Sequence, residues 1–375
     1  MQPPLTVSPT QTMRSRGTTP MPPNLQTSPA DKPYRFVSLP DRAKKQPVTA
    51  GQECFDHQRY TGILSLTLNV ETATLVASGI IALGTDVGLK EPLVKTAIQR
   101  DRQLLIPGSS LKGVVRSAFE AITASCLGLP QAKTTSKKTL HVASELAKCG
   151  AVKVSPEQTL QDKRNSRLCP ACRVFGTMGW QGLACFSEAV GTGQVTTSYM
   201  PTLKSPQPAY QAYDNGQQQV TGRKFYVSTT ETVPENKKNI PTQTAKPGYQ
   251  FKTSLRVTNL SEQEIGALLL ALGLENLDQP WKLRLGSGKP VGFGNLTVQV
   301  TEWTALAGEG SPSQTVIDRY RTYAQQPGSL TGEGLRQFQQ RCMAAAKQSN
   351  YVLGPQLQQL THILTETNYQ PKEQY

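Results

Sequence analysis

Apolar and polar residues alternate through Ile63-Leu-Ser-Leu-Thr-Leu-Asn-Val70, the period of two expected of a strand with one buried face. A β-branched run near Ile80 predicts a second strand. Leu104-Leu-Ile106 predicts a short apolar strand ended by Pro107-Gly108. Beyond it Leu111, Val114, Val115, Ala118, Phe119 and Ile122 recur at helical spacing, with Ser109 and Ser110 as the expected cap. The other face of that helix carries Lys112 and Arg116, four residues apart. The second half repeats the plan. Leu183 to Val190 and Phe251 to Val257 predict strands, and Ser261-Glu-Gln-Glu264 forms a capping box opening the apolar helix Ile265 to Leu272. Trp281 to Leu285 and Leu296 to Val300 predict two more strands around a glycine-rich turn. Strand, helix, two strands, helix, strand is the order of a ferredoxin-like α+β domain.

Between and beyond these elements the pattern weakens. Residues 1–32 are rich in Ser, Thr, Pro and Gln and predict a disordered basic arm, because they bury too little to offset the entropy of ordering. The domain proper is expected over 33–302. Within it lie a basic insertion at about 127–175 and a polar insertion at about 194–250, which encloses the apolar-basic island Gly222-Arg-Lys-Phe-Tyr226. Residues 303–375 predict a helical C-terminal extension with an apolar stripe through Leu353, Leu357, Leu360, Ile363 and Leu364.

Charge then narrows the partners. Forty Lys and Arg against 26 Asp and Glu in 375 residues leave a formal charge of +14, which favours a polyanion, nucleic acid first. No apolar run reaches the roughly 18 to 20 residues needed to cross a bilayer, and a cytoplasmic protein without membrane contact is expected. Seven cysteines, an odd number that includes a CxxC pair, point to metal or free thiols.

Three segments carry chemistry. In Ile106-Pro-Gly-Ser-Ser-Leu-Lys-Gly-Val-Val-Arg116 a glycine and two hydroxyl residues lead into a helix N-terminus, where free N–H groups and the dipole favour an anion. An ordinary capped helix with two solvated cations would carry the same residues. Leu285-Gly-Ser-Gly-Lys-Pro-Val-Gly-Phe-Gly294 holds four glycines around Lys289 and Phe293. Glycines allow close approach to a phosphate, and the Phe293 ring is suited to stack on a base; a long hairpin turn is the alternative. Pro290 after Lys289 excludes a Walker loop. Cys169-Pro-Ala-Cys172 offers two thiolates at zinc-ligand spacing, with Cys149, Cys126 and His141 as candidates for the remaining ligands. Cys54, Cys185 and Cys342 are expected to be small buried residues. The three histidines, His57, His141 and His362, are scattered, and no nucleophile-base set is visible.

Taken in order, these segments resemble the RAMP superfamily, the proteins that build the backbone of type III CRISPR effectors. Ile106-Pro-Gly-Ser-Ser-Leu-Lys-Gly113 with Arg116 looks like its signature, Cys169 to Gly176 like its zinc-knuckle region, Gly222 to Tyr226 like a segment of larger members, and Gly286 to Gly294 like its terminal glycine-rich loop. Pro33-Tyr-Arg-Phe-Val-Ser-Leu-Pro40 resembles an entry segment of type III-D-like loci. The resemblance implies a modified RNA-recognition palm with thumb and zinc-knuckle insertions. It also implies antiviral defence in a prokaryotic cytoplasm, with CRISPR RNA, target RNA, sister RAMP subunits and the large polymerase-like subunit as partners.

On that resemblance RNA contacts are expected from Ser109, Ser110, Lys112 and Arg116, from Arg173, Arg223 and Lys224, and from Gly286, Gly288, Lys289 and Phe293. A structural Zn2+ would be held by Cys169, Cys172, Cys149 and Cys126. Family members often carry a catalytic aspartate after the first strand, and Asp86, between Gly84 and Gly88, is the nearest match; with Mg2+ or a similar ion it would serve an endoribonuclease acting on target RNA. A turn aspartate would look the same. Two other readings stay open: an endoribonuclease that processes CRISPR precursor RNA, although no histidine or Lys-Tyr set lies near the first helix, and a non-catalytic zinc-containing adaptor.

Overall fold

The alternation read in the first strand is realised in β3 below, where Leu64, Leu66, Leu68 and Val70 are buried while Ser65, Thr67 and Asn69 stay half-exposed. The computed structural model describes residues 33–48, 50–56, 58–128, 142–150, 152, 166–203, 214, 219–229, 232, 236–307 and 328–365. The expected arm at 1–32, His57, His141 and most of the basic insertion lie outside the described residues.

In chain order, β1 (Tyr34–Ser38) and β2 (Gln46–Pro47) precede β3 (Tyr60–Val70). β4 (Ala77–Leu83), β5 (Leu93–Ala97), β6 (Gln99–Arg100) and β7 (Gln103–Ile106) lead into α1 (Gly108–Ile122). After β8 (Arg167–Leu168) and α2 (Pro170–Phe175) come β9 (Ala184–Phe186), β10 (Ala189–Thr192), β11 (Val195–Met200), β12 (Gly222–Tyr226), β13 (Ile240–Ala245) and β14 (Gln250–Leu260). α3 (Glu262–Ala271), β15 (Leu283–Arg284), β16 (Asn295–Ala307) and β17 (Ser329–Leu330) are followed by α4 (Gly332–Gln348) and α5 (Gly354–Thr365).

The main sheet sets β3 between β16 and β14, all antiparallel, with β9 and β10 on the far side of β14. Counting β3, β9 with β10, β14 and β16 as the four strands of the repeat, their spatial order is fourth, first, third, second, as in a ferredoxin-like sheet. The expected strand Leu183–Val190 is split in two, with Ser187 and Glu188 between the halves. A second sheet, β11-β13-β5-β4, is assembled from two distant stretches, and β13 meets β5 in parallel at Thr242 and Lys95.

On the buried side of the main sheet lie α1 and α3. α1 turns Leu111, Val115, Ala118, Phe119 and Ile122 inward. α3 is buried almost all round because α1 packs on one side and α4 on another, the situation in which a helix needs no polar stripe. Its capping box forms as read: the Ser261 hydroxyl accepts the Glu264 N–H, and the Glu264 carboxylate accepts the Ser261 N–H at 2.8 Å. The cap of α1 differs from expectation. Pro107 occupies the cap with no side-chain hydrogen bond, and Ser109 and Ser110 are already inside the first turn.

Within the described stretch 328–365, α4 and α5 join the same core. Phe338 of α4 stacks on Trp303 with centroids 5.2 Å apart, and Leu357, Leu360, Ile363 and Leu364 of α5 are buried. Leu353 is only half-buried. Of the three cysteines expected to be buried, Cys342 is, but Cys54 and Cys185 are exposed. Cys185 sits in β9 on the open side of the sheet, where strand alternation turns it away from Ala184 and Phe186. Among the described residues no helix is long and apolar enough to cross a membrane.

Candidate nucleic-acid interface and metal centre

Two of the segments singled out in the sequence, with the island Gly222–Tyr226, meet at one cleft of about 440 Å3. The first turns of α1 supply Ser109, Ser110 and Gly113; β12 supplies Lys224, Phe225 and Tyr226; the glycine-rich turn and the strand before it supply Trp281, Arg284, Gly286 and Lys289. β12 reaches the site because it pairs in antiparallel register with β1, Phe36 opposite Lys224. The Lys224 ammonium stands 4.0 Å from the centre of the Tyr34 ring, a favourable cation–π placement. No carboxylate occurs among the described residues lining the cleft.

The turn is rigid by construction. A side chain at Gly286 would stand 2.2 Å from the Leu75 carbonyl oxygen, and one at Gly294 would stand 1.9 Å from that of Leu285; both residues also have positive φ. Their freedom is therefore used against the protein's own backbone, and Gly288 is buried beside Met200 and Phe293. Lys289 Nζ donates to the Gly286 carbonyl at 2.6 Å, and one Arg284 nitrogen donates to the Lys289 carbonyl. Arg284 is 7% exposed. Desolvation lowers the Arg284 guanidinium from its usual range without removing its charge, and burial, with the Arg284 charge beside it, holds the Lys289 ammonium below the usual lysine range. In the sequence Arg284 stands with Lys282 as one of two cations near the glycine-rich loop, in the expected strand Trp281–Leu285, and only the fold marks it as the buried one.

Other expected contacts are turned elsewhere. Phe293 is 2% exposed in the core, so its ring is not presented to a base. Arg173 is buried against Glu264 at 2.5 Å and donates to the Asn259 carbonyl. Arg223 and Arg116 both grip Glu120, each at 2.8 Å; Arg223 also donates to the Cys126 carbonyl and Arg116 to that of Gly176. These arginines brace α1, α2 and β12 against one another. Lys112 is half-exposed on α1 outside the cleft wall.

At the far end of α1 the chain brings Cys126, Cys149, Cys169 and Cys172 together, all buried, with their sulfurs within 4.8 Å of one another. Cys126 lies 3.6 Å from Cys172 and 3.5 Å from Cys169, sulfur to sulfur. A tetrahedral ion with bonds of about 2.3 Å requires sulfurs about 3.8 Å apart, so the set is compatible with a structural zinc ion. Cys169 caps α2, where Pro170 fits the first position. Contacts from Cys126 and Cys149 favour the Cys169 thiolate, and contacts from the same two residues push the Cys172 thiol up.

Asp86 lies exposed in a 3-10 turn, Gly84–Val87, between β4 and β5. Glu91 ties this loop to β11 through the Thr197 hydroxyl at 2.6 Å and the Tyr199 hydroxyl at 2.9 Å; the first of these bonds does most to hold its carboxyl below the usual range. Among the described residues the four cysteines form the one group of three or more metal-ligating side chains, so Asp86 has no such companions there.

The mixed α/β fold with its curled main sheet is consistent with a palm-like class of protein, and sequence comparison makes the class specific. The family model of the RAMP superfamily matches residues 67–297, more than half of the chain, and the chain belongs to that superfamily. Its members work in CRISPR complexes with RNA and other subunits. No curated protein matches the sequence.

Proposed function

We propose that this chain is a guide-RNA-binding backbone subunit of a type III CRISPR effector, gripping the RNA backbone at the cleft between α1, β12 and the glycine-rich turn. The observation that carries this reading is the convergence there of segments over 170 residues apart, all cationic or helix-terminal and none acidic. Phosphates are bound by such surfaces without regard to sequence. Base pairing by the guide would supply sequence recognition. The four cysteines, none of which lines the cleft, hold zinc that fixes α2 and the segment after α1, a structural role.

The test is co-purification and affinity. Tagged protein from its host should bring down CRISPR RNA and sister subunits. The Lys224→Ala, Lys289→Ala double variant should bind single-stranded RNA at least tenfold more weakly, with a shallower dependence on salt. Unchanged affinity and slope would remove the cleft from the reading.

A second reading adds cleavage of target RNA by Asp86. It is favoured by one observation: the carboxylate is exposed on a turn whose loop is anchored by Glu91. Undiminished cutting at every position by an assembled Asp86→Ala complex would exclude it.

A further inference from the structure

We infer that the cleft seats one nucleotide unit, its phosphate against Arg284 and Lys289 and its sugar and base along the apolar wall of Val114, Trp281 and Leu364. The inference deepens the RNA-binding reading and rests on it. Three observations carry it.

The buried groups left without a partner in the cleft wall are donors. Arg284 Nε and Nη1 and the Trp281 indole N–H are buried with no hydrogen-bond partner, and both residues line the cleft. Buried donors of this kind are costly unless an acceptor reaches them. With Lys289 and Lys224 alongside and no carboxylate in the described lining, the acceptor that fits is an anion.

Most of the remaining wall is apolar, so a bare phosphate would leave it uncovered. A bare base would leave the donors unmatched. The volume, about 440 Å3, falls in the range of small-ligand sites.

Gly113 stands in the middle of α1, where glycine weakens a helix relative to alanine. No packing demands it: a Cβ built there meets nothing within 4 Å, and the residue lines the cleft. The open space is the seat itself, and a glycine lets the ligand lie against the helix.

Adenosine 5′-monophosphate, adenosine and inorganic phosphate are titrated into the full-length protein, and a single-stranded RNA in parallel. The monophosphate should bind at least tenfold more tightly than either fragment. Arg284→Lys and Gly113→Leu should each weaken it at least tenfold and weaken RNA several-fold. Gly113→Leu leaves Arg284 and the core intact, and its melting temperature should match or exceed that of the wild type, which separates a blocked seat from a misfolded one. If Gly113→Leu and Arg284→Lys bind RNA like the wild type and the monophosphate does not bind, the seat is overturned while RNA binding stands. Monophosphate binding without RNA binding sustains the seat with a free nucleotide as its source and removes the reading above.

Discussion

Arg173 and Glu264 form a buried ion pair, nitrogen to oxygen 2.5 Å, that joins the helix of the CxxC segment to the capping box of α3. The same carboxylate accepts from Arg59 at 3.0 Å and from the Ser261 N–H. One side chain thus holds a cap and two cations.

Glu264→Gln should therefore leave Arg173 buried without a counter-charge and lower stability by about 3–5 kcal/mol, as expected when one member of a buried pair is removed. Urea unfolding measures it. A much smaller loss would mean that water reaches the pair.

Metal content is the second expectation. Mass spectrometry should find about one zinc per chain, and Cys169→Ser should lose it. Removing the ion with a chelator should lower the melting temperature, since binding free energy in such sites is folding free energy, and should open Cys126 and Cys149 to alkylation.

Helix α3 approaches α4 closely at Gly266, where a methyl group would stand 1.9 Å from the Cys342 carbonyl oxygen. Gly266→Ala should force the helices apart and cost about 1–3 kcal/mol. Cys342 reports the change directly. Burial pushes its thiol up to about 12, so it should resist alkylation at neutral pH in the wild type and react in the variant.

The cleft should also respond to pH. The Arg284 guanidinium keeps its charge throughout, as guanidinium does in proteins. Lys289 beside it is the group that titrates, since burial first and the Arg284 charge second hold its ammonium below the usual lysine range. Only the protonated ammonium attracts phosphate, so affinity for the monophosphate should be highest near neutral pH and fall as pH rises toward the lowered range of Lys289. Calorimetry across that interval tests it, and in Lys289→Gln the fall should shrink.

The repeat of strand and helix was legible because each element has a buried face written at its own period, in β3 and α1 above all. Glu264 was legible as half of a capping box, a purely local pattern. Its bond to Arg173, 91 residues away, leaves no mark in either segment. Phe293 misled because a ring among glycines looks the same whether the turn folds it inward or outward. Arg284 was legible only as one of two cations near the glycine-rich loop, with Lys282: two residues apart in one expected strand, nothing in their neighbours says which of them is the more deeply buried. The grouping of Cys126 and Cys149 with the CxxC pair was within reach because thiol chemistry limits the choices.

The parallel contact between β5 and β13 has a consequence for where the molecule opens first. It is a single pairing, Thr242 with Lys95, and β4 beyond it is mostly exposed or half-exposed. Strands with so little buried around them open locally at low free energy. The amides of β4 and β5 should therefore exchange with deuterium well before those of β3, whose neighbours β14 and β16 hold it along its length. The Asp86 turn thus hangs from the part of the molecule that can yield while the sheet behind it stays closed.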